Sequence, residues 1–97
     1  MADLRVRVKK IKGYCPVYKG GDTFFIEEGY KLRSEKSICM HSLASLMPYY
    51  VALSKGILPE NIGLGTEGVA YVQCLDPCEY TGGGTVILEI RRDGGAK

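Results

Sequence analysis

The chain has 97 residues, 45% hydrophobic and 25% charged, a composition that suits one globular domain and excludes a disordered segment. Its 13 basic and 11 acidic side chains leave a net charge of +2, too balanced for nucleic-acid or membrane binding to be the expectation. No apolar run reaches the length of a membrane span, and Met1-Ala2-Asp3-Leu4-Arg5 lacks the apolar core of a signal peptide, so a single cytoplasmic domain over 1–97 is expected.

Leu4-Arg5-Val6-Arg7-Val8-Lys9 alternates apolar and basic residues, as a strand with one buried face does, and the alternation slips at Lys10-Ile11, where a bulge or a strand end belongs. Gly13-Tyr14-Cys15-Pro16 and Lys19-Gly20-Gly21-Asp22 make a turn-rich connection to a second strand, Thr23-Phe24-Phe25-Ile26-Glu27, which stops at Gly29. From Ser37 to Lys55 the apolar positions Cys39, Leu43, Leu46, Met47, Tyr50 and Val51 step by three and four, predicting a helix. Ser34 or Ser37 can cap it, Gly56 ends it, and Pro48 kinks it or splits it in two. Ile57 to Gly68 reads as a loop with one helical turn at Pro59-Glu60-Asn61-Ile62. Val69 to Cys74 is a third strand, Leu75 to Tyr80 a turn, and Thr85 to Arg91 a fourth and central strand, with residues 93–97 fraying. The order β-β-α-β-β predicts an α+β fold: a curved antiparallel sheet or a small, partly open barrel with one central kinked helix.

The four cysteines, Cys15, Cys39, Cys74 and Cys78, all fall near element ends, where distant segments can converge on one site. In a cytosolic chain an even cysteine count favours metal ligation, thiol chemistry or plain burial over disulfides. Thiolates bind zinc, copper(I) and iron–sulfur clusters because sulfur is soft. Cys74 and Cys78 are separated by three residues and Pro77 stiffens their turn, a spacing that can bring two sulfurs to one ion but is not that of a zinc knuckle. Burial without a ligand is the competing reading, and Cys39 on the helix stripe fits it well. His41, two residues from Cys39 in a regular helix, points to a nearly opposite face and reads as a surface histidine.

Other candidates have simpler readings. Gly82-Gly83-Gly84 leads into a strand without a Lys-Ser/Thr pair, so it reads as a flexible hairpin turn and not a phosphate loop. Arg5, Arg7 and Lys9, with Arg91 and Arg92 alongside and several tyrosines, form a basic stripe that suits single-stranded nucleic acid or simply a solvated edge strand, and the balanced net charge favours the latter. Asp22 and Asp76 read as turn-supporting carboxylates. Met40, Met47, Tyr49 and Tyr50 read as core packing before they read as a small apolar pocket.

Gly13-Tyr14-Cys15-Pro16 with Gly21-Asp22-Thr23-Phe24, Ile38-Cys39-Met40-His41-Ser42-Leu43, Ala70 to Pro77 and Gly83 to Ile90 occur in an order that resembles a family of archaeal and bacterial proteins of roughly a hundred residues with no assigned activity. The resemblance runs from about Val6 to Arg92. It implies cysteines at positions matching Cys15, Cys39 and Cys74, whereas Cys78 departs from it, glycine being more usual there.

The sequence thus points to a small, non-enzymatic cytoplasmic protein that binds a metal ion, zinc or an iron–sulfur cluster through Cys15, Cys39 and Cys74, with Cys78 as a fourth ligand, serving as a carrier or as the accessory of a redox partner. Two other classes compete with it. One is an interaction module that dimerises or docks on a protein partner, its cysteines merely buried. The other is a thiol-dependent redox protein or enzyme using Cys15 or Cys78 as nucleophile.

Overall fold

The computed structural model describes residues 3–93. Six strands form one open antiparallel sheet: β1 (Leu4–Gly13), β2 (Thr23–Glu27), β3 (Lys31–Arg33), β4 (Gly65–Thr66), β5 (Val69–Gln73) and β6 (Gly84–Arg92), in the order β3-β2-β1-β6-β5-β4. The two longest strands, β1 and β6, pair at the centre. Alternation decides which side of each is wet: Leu4, Val6 and Val8 are buried, as are Phe24, Ile26, Ala70, Val72, Leu88 and Ile90 across the register. The slip foreseen at Lys10 is a bulge between Val8 and Lys10, after which Ile11 returns to the buried side opposite Val86.

The α+β class holds, and the sheet is open and not a barrel. The single kinked helix does not. Its place is taken by α1 (Met40–Leu46) and α2 (Tyr50–Ser54), separated at Pro48. Proline lacks the N–H that would continue the ladder and its ring collides with the preceding turn, so the chain restarts instead of bending. The split dephases the apolar stripe: Leu46 and Leu53 are buried, while Met47 and Val51 are exposed. Both helices lie on the same side of the sheet, Leu46 and Leu53 sharing one cluster with Leu4, Val6, Val8 and Leu88.

Two short strands are absent from the sequence reading. β3 leaves β2 through a three-residue turn in which Glu28 (φ 57°) and Gly29 (φ 81°) are left-handed, and the Asp3 carboxylate accepts the Glu28 N–H at 2.9 Å. β4 returns into β5 through Glu67 (φ 54°) and Gly68 (φ 79°), the two-residue turn geometry that suits the twist of a hairpin. Three exposed residues, Lys-Leu-Arg, and a Gly-Thr pair carry no alternation to detect. Pro59–Ile62 is a single 3-10 turn, as expected. The fraying expected from residue 93 onward falls, from residue 94, outside the described residues. No helix among the described residues is long and apolar enough to cross a membrane.

A cavity walled by three cysteines

Three of the four cysteines line one cavity at one end of the sheet, on the helix side. Its volume is about 450 Å³ and its walls come from three places: the loop Tyr14–Tyr18 after β1, the start of α1 with Cys39, His41 and Ser42, and the β5–β6 connection with Cys74, Asp76, Gly83 and Gly84. Cys74 is buried, Cys15 and Cys39 half-buried, and Tyr14 and His41 stand exposed at the rim.

Each cysteine is placed by local backbone chemistry. Cys15 is followed by Pro16, and the chain turns back so that the Tyr18 N–H donates to Cys15 Sγ at 3.3 Å. Cys74 continues the β5 ladder, its N–H donating to the Val86 carbonyl at 2.8 Å while its own carbonyl accepts the Thr85 hydroxyl at 3.2 Å. Cys39 is extended (φ −72°, ψ 128°) as the residue before α1, and its side chain caps nothing.

The cap is supplied by Tyr18 instead. The Cys39 N–H donates to Tyr18 Oη at 3.0 Å, Tyr18 Oη and Ser42 Oγ are 2.7 Å apart, and the Ser42 hydroxyl donates to the Cys39 carbonyl at 2.9 Å. With Ser42 donating to the carbonyl, the phenol must donate to Ser42, which closes a ring of three hydrogen bonds around the Cys39 peptide. Burial pushes the Tyr18 phenol above its ordinary value, more than the Ser42 and Cys39 hydrogen bonds pull it down.

The extended Cys39 also removes the expected opposition of Cys39 and His41. That opposition assumed a helix already running at Ser37, whereas α1 begins at Met40 and both side chains reach the cavity. Asp76 serves the turn, as its sequence context suggests, and faces the cavity as well. Its carboxylate accepts the Cys78 N–H at 2.8 Å and the Thr81 hydroxyl. The Thr81 hydroxyl first, then the Cys78 N–H and the nearby charge of His41, hold it below the usual carboxylate range.

Cys78 does not line the cavity. It sits at φ 52° in the 3-10 turn Cys78–Tyr80, with Sγ 3.5 Å from the Lys12 carbonyl oxygen and 3.6 Å from that of Gly83. The glycines beside it are packed, not loose: a Cβ on Gly84 would lie 2.3 Å from the Tyr14 carbonyl oxygen, and one on Gly83 would lie 2.6 Å from Asp76 Oδ2. Close backbone approach therefore explains Gly84, while Gly82, at φ 73° with open space where a Cβ would lie, fits the turn expected of the run. Among the described residues, no three His, Cys, Asp or Glu side chains are grouped as a bound metal ion would need.

A second, apolar cavity of about 210 Å³ lies between β2, β3 and the helices, lined by Ile26, Leu32, Leu43, Met47 and Tyr50 among others. Of the residues that shape the cysteine cavity, Tyr18 and Ser42 had no such role in the sequence reading, and Gly84 was read only as part of a turn. The i, i+3 spacing of Cys39, the residue before α1, and Ser42, its third helical residue, is the one signal that could have found the capping ring. Comparison with protein-family models, curated proteins and solved structures gave no match to this chain.

Proposed function

We propose that this protein binds a soft metal centre in the cysteine-walled cavity, with Cys15, Cys39 and Cys74 as thiolate ligands and Cys78 outside the set. One observation carries the reading: three cysteines from three separate segments line the same cavity at the end of the sheet. Its volume, about 450 Å³, exceeds the needs of a single ion and favours an iron–sulfur cluster over zinc. The Tyr18 N–H directed at Cys15 Sγ is the kind of donor that tunes metal-bound sulfur. His41 and Asp76 are the side chains available for a fourth position. Because the sulfurs are not grouped as a metal ion needs among the described residues, ligation requires the three side chains to draw closer together. In the cell such a protein serves as a carrier or as the accessory of a redox partner.

The test is anaerobic purification followed by a visible spectrum and iron, sulfide and zinc analysis on one sample. Brown protein with iron and sulfide, lost on Cys15→Ser, Cys39→Ser or Cys74→Ser and kept in Cys78→Ser, supports the reading. Colourless, metal-free, folded protein that also fails to take up iron and sulfide in reconstitution sinks it. The same hydrogen bond to Cys15 Sγ, with the half-exposure of that residue, favours thiol chemistry as the second reading. It requires Cys15 to alkylate faster than Cys74 in folded, metal-free protein.

A further inference from the structure

The face of the sheet opposite the helices carries a charge pattern that the net charge of the chain conceals. Directly opposed residues of paired strands share a face. Arg5 stands opposite Phe25 on β2 and Arg91 on β6, Arg7 opposite Glu89, and beyond the bulge Lys10 opposite Ile87 and Lys12 opposite Thr85. On β3, Arg33 opposes Phe25 and Lys31 opposes Glu27. Lys9, the bulged residue, joins them, its Nζ 3.6 Å from Glu89 Oε2. Eight of the 13 basic side chains thus share this face, seven by register and Lys9 by contact, while its strands contribute only Glu27 and Glu89 as acids. Both carboxylates are already paired, Glu27 with Arg33 and Glu89 with Arg7, Lys9 and Arg91. Arg5 and Lys10 are exposed and belong to no ion pair among the described residues.

Aromatic side chains lie among these cations. Phe25 and Tyr71 are half-buried on β2 and β5, flanking the two central strands, and the Arg33 guanidinium lies 4.6 Å over the Phe25 ring. Tyr71 stands opposite Glu89 on the same face. Alternate residues of a strand recur every 6–7 Å or so, so the basic row along β1 is a linear series of positive charges and not a point cluster. The large exposed apolar side chains Met40, Met47 and Leu58 lie elsewhere, on the helices and the loop after them, which argues against insertion of this face into a lipid surface.

We infer that this uncovered sheet face binds single-stranded nucleic acid, the phosphates following the β1 row and a base stacking on Tyr71. A linear polyanion carrying flat rings matches a linear cationic row edged by aromatic side chains, and no helix stands between them. The surface is independent of the cysteine cavity, which opens on the other side of the sheet.

Fluorescence anisotropy with labelled oligothymidylate and oligouridylate of about 16 nucleotides, at about 50 mM salt, tests the inference. The expected result is saturable binding whose log–log salt slope is about −0.7 per phosphate neutralised. Arg5→Gln with Lys10→Gln should weaken binding and flatten that slope. Tyr71→Ala should weaken binding about tenfold at unchanged slope, with Tyr71→Phe close to wild type. Circular dichroism and a melting curve on each variant separate lost binding from lost folding. Absence of binding overturns the inference, and so does binding that the Arg5/Lys10 double variant leaves intact. Equal affinity for poly-glutamate, which has charge without bases, or for phosphatidylserine vesicles overturns it too.

Discussion

The Tyr18 hydroxyl and Ser42 Oγ, 24 positions apart in sequence and 2.7 Å apart in space, tie the loop after β1 to the first turn of α1. Both residues are buried, and the peptide they enclose is that of Cys39. The walls of the cysteine cavity are therefore held by a polar ring set against an apolar cluster.

Tyr18→Phe should destabilise the fold by about 1–3 kcal/mol, because it leaves the Cys39 N–H and Ser42 without their buried partner. Urea unfolding of wild type and variant measures this. A change within about 0.3 kcal/mol would show that the ring does not hold the cavity wall.

Ser54→Ala should act in the opposite sense. Ser54 Oγ is fully buried with no hydrogen-bond partner among the described residues, so the substitution removes a desolvated hydroxyl and should stabilise by about 1 kcal/mol. For a domain of this size that is a rise in Tm of about 4–8 °C, readable by scanning calorimetry. A lower Tm would mean that the hydroxyl is satisfied in solution.

Gly84→Ala should cost more than about 2 kcal/mol, since its Cβ would lie 2.3 Å from the Tyr14 carbonyl oxygen and 2.5 Å from the carbonyl carbon, backbone atoms held by the β1–β6 pairing. Gly82→Ala, where a Cβ meets open space, should suffer only from its positive φ. Comparing their denaturation midpoints separates close approach from turn conformation.

Glu89 predicts an acid limb in the stability profile. Its cover raises the carboxyl, but the Arg91 hydrogen bond and the charges of Arg91, Lys9 and Arg7 outweigh that and hold it below the ordinary value. A depressed carboxylate stabilises fully above its unfolded value and ceases to do so as pH falls through the folded one. Wild type should therefore lose stability across the acid range more steeply than Glu89→Gln, and added salt should shrink the difference. Parallel profiles for the two proteins would show the cluster to be electrostatically idle.

Cys78→Gly should be tolerated, because residue 78 adopts φ 52°, which glycine reaches without the penalty a Cβ incurs. Metal content should survive this substitution if the ligands are the three cavity cysteines. Its loss would bring Cys78 back into the ligand set.

The sequence was most legible where an apolar pattern ran long. Alternation from Leu4 to Val8 and the apolar run from Thr85 to Ile90 announce the central strands, and Lys10-Ile11 announces the bulge. Short, charged Lys31–Arg33 has no such rhythm and forms a strand only because the Glu28–Gly29 turn folds it back on β2. The helix was legible as apolar spacing, and Pro48 as its kink or break, but the stripe drawn across that break was not kept, since periodicity counts residues and ignores the N–H missing at Pro48. Cys39 and His41 show the same limit at the site: the two-residue spacing implies opposite faces only inside a helix, and Cys39 lies just outside one. For the charged face, the β1 stripe with Arg91 alongside was legible, whereas only the pairing registers add Lys31 and Arg33 and set Arg92 on the other face, opposite Leu4.

The extra residue at Lys9 acts as a half-step in the pleat. If the same residues ran from Leu4 to Gly13 in strict alternation with no bulge, Lys10 would be driven into the core while Ile11 turned to water. The insertion resets the count, so both adjacent lysines stay wet and Ile11 comes home dry. The same half-step sets where the strand ends, seating Gly13 opposite Gly84 and so pressing the Tyr14 backbone against that glycine. One inserted residue therefore clocks both surfaces of the sheet at once, and removing one of the two lysines would erase the bulge while leaving Gly13 opposite Gly84 and the Cys15 loop in place against β6.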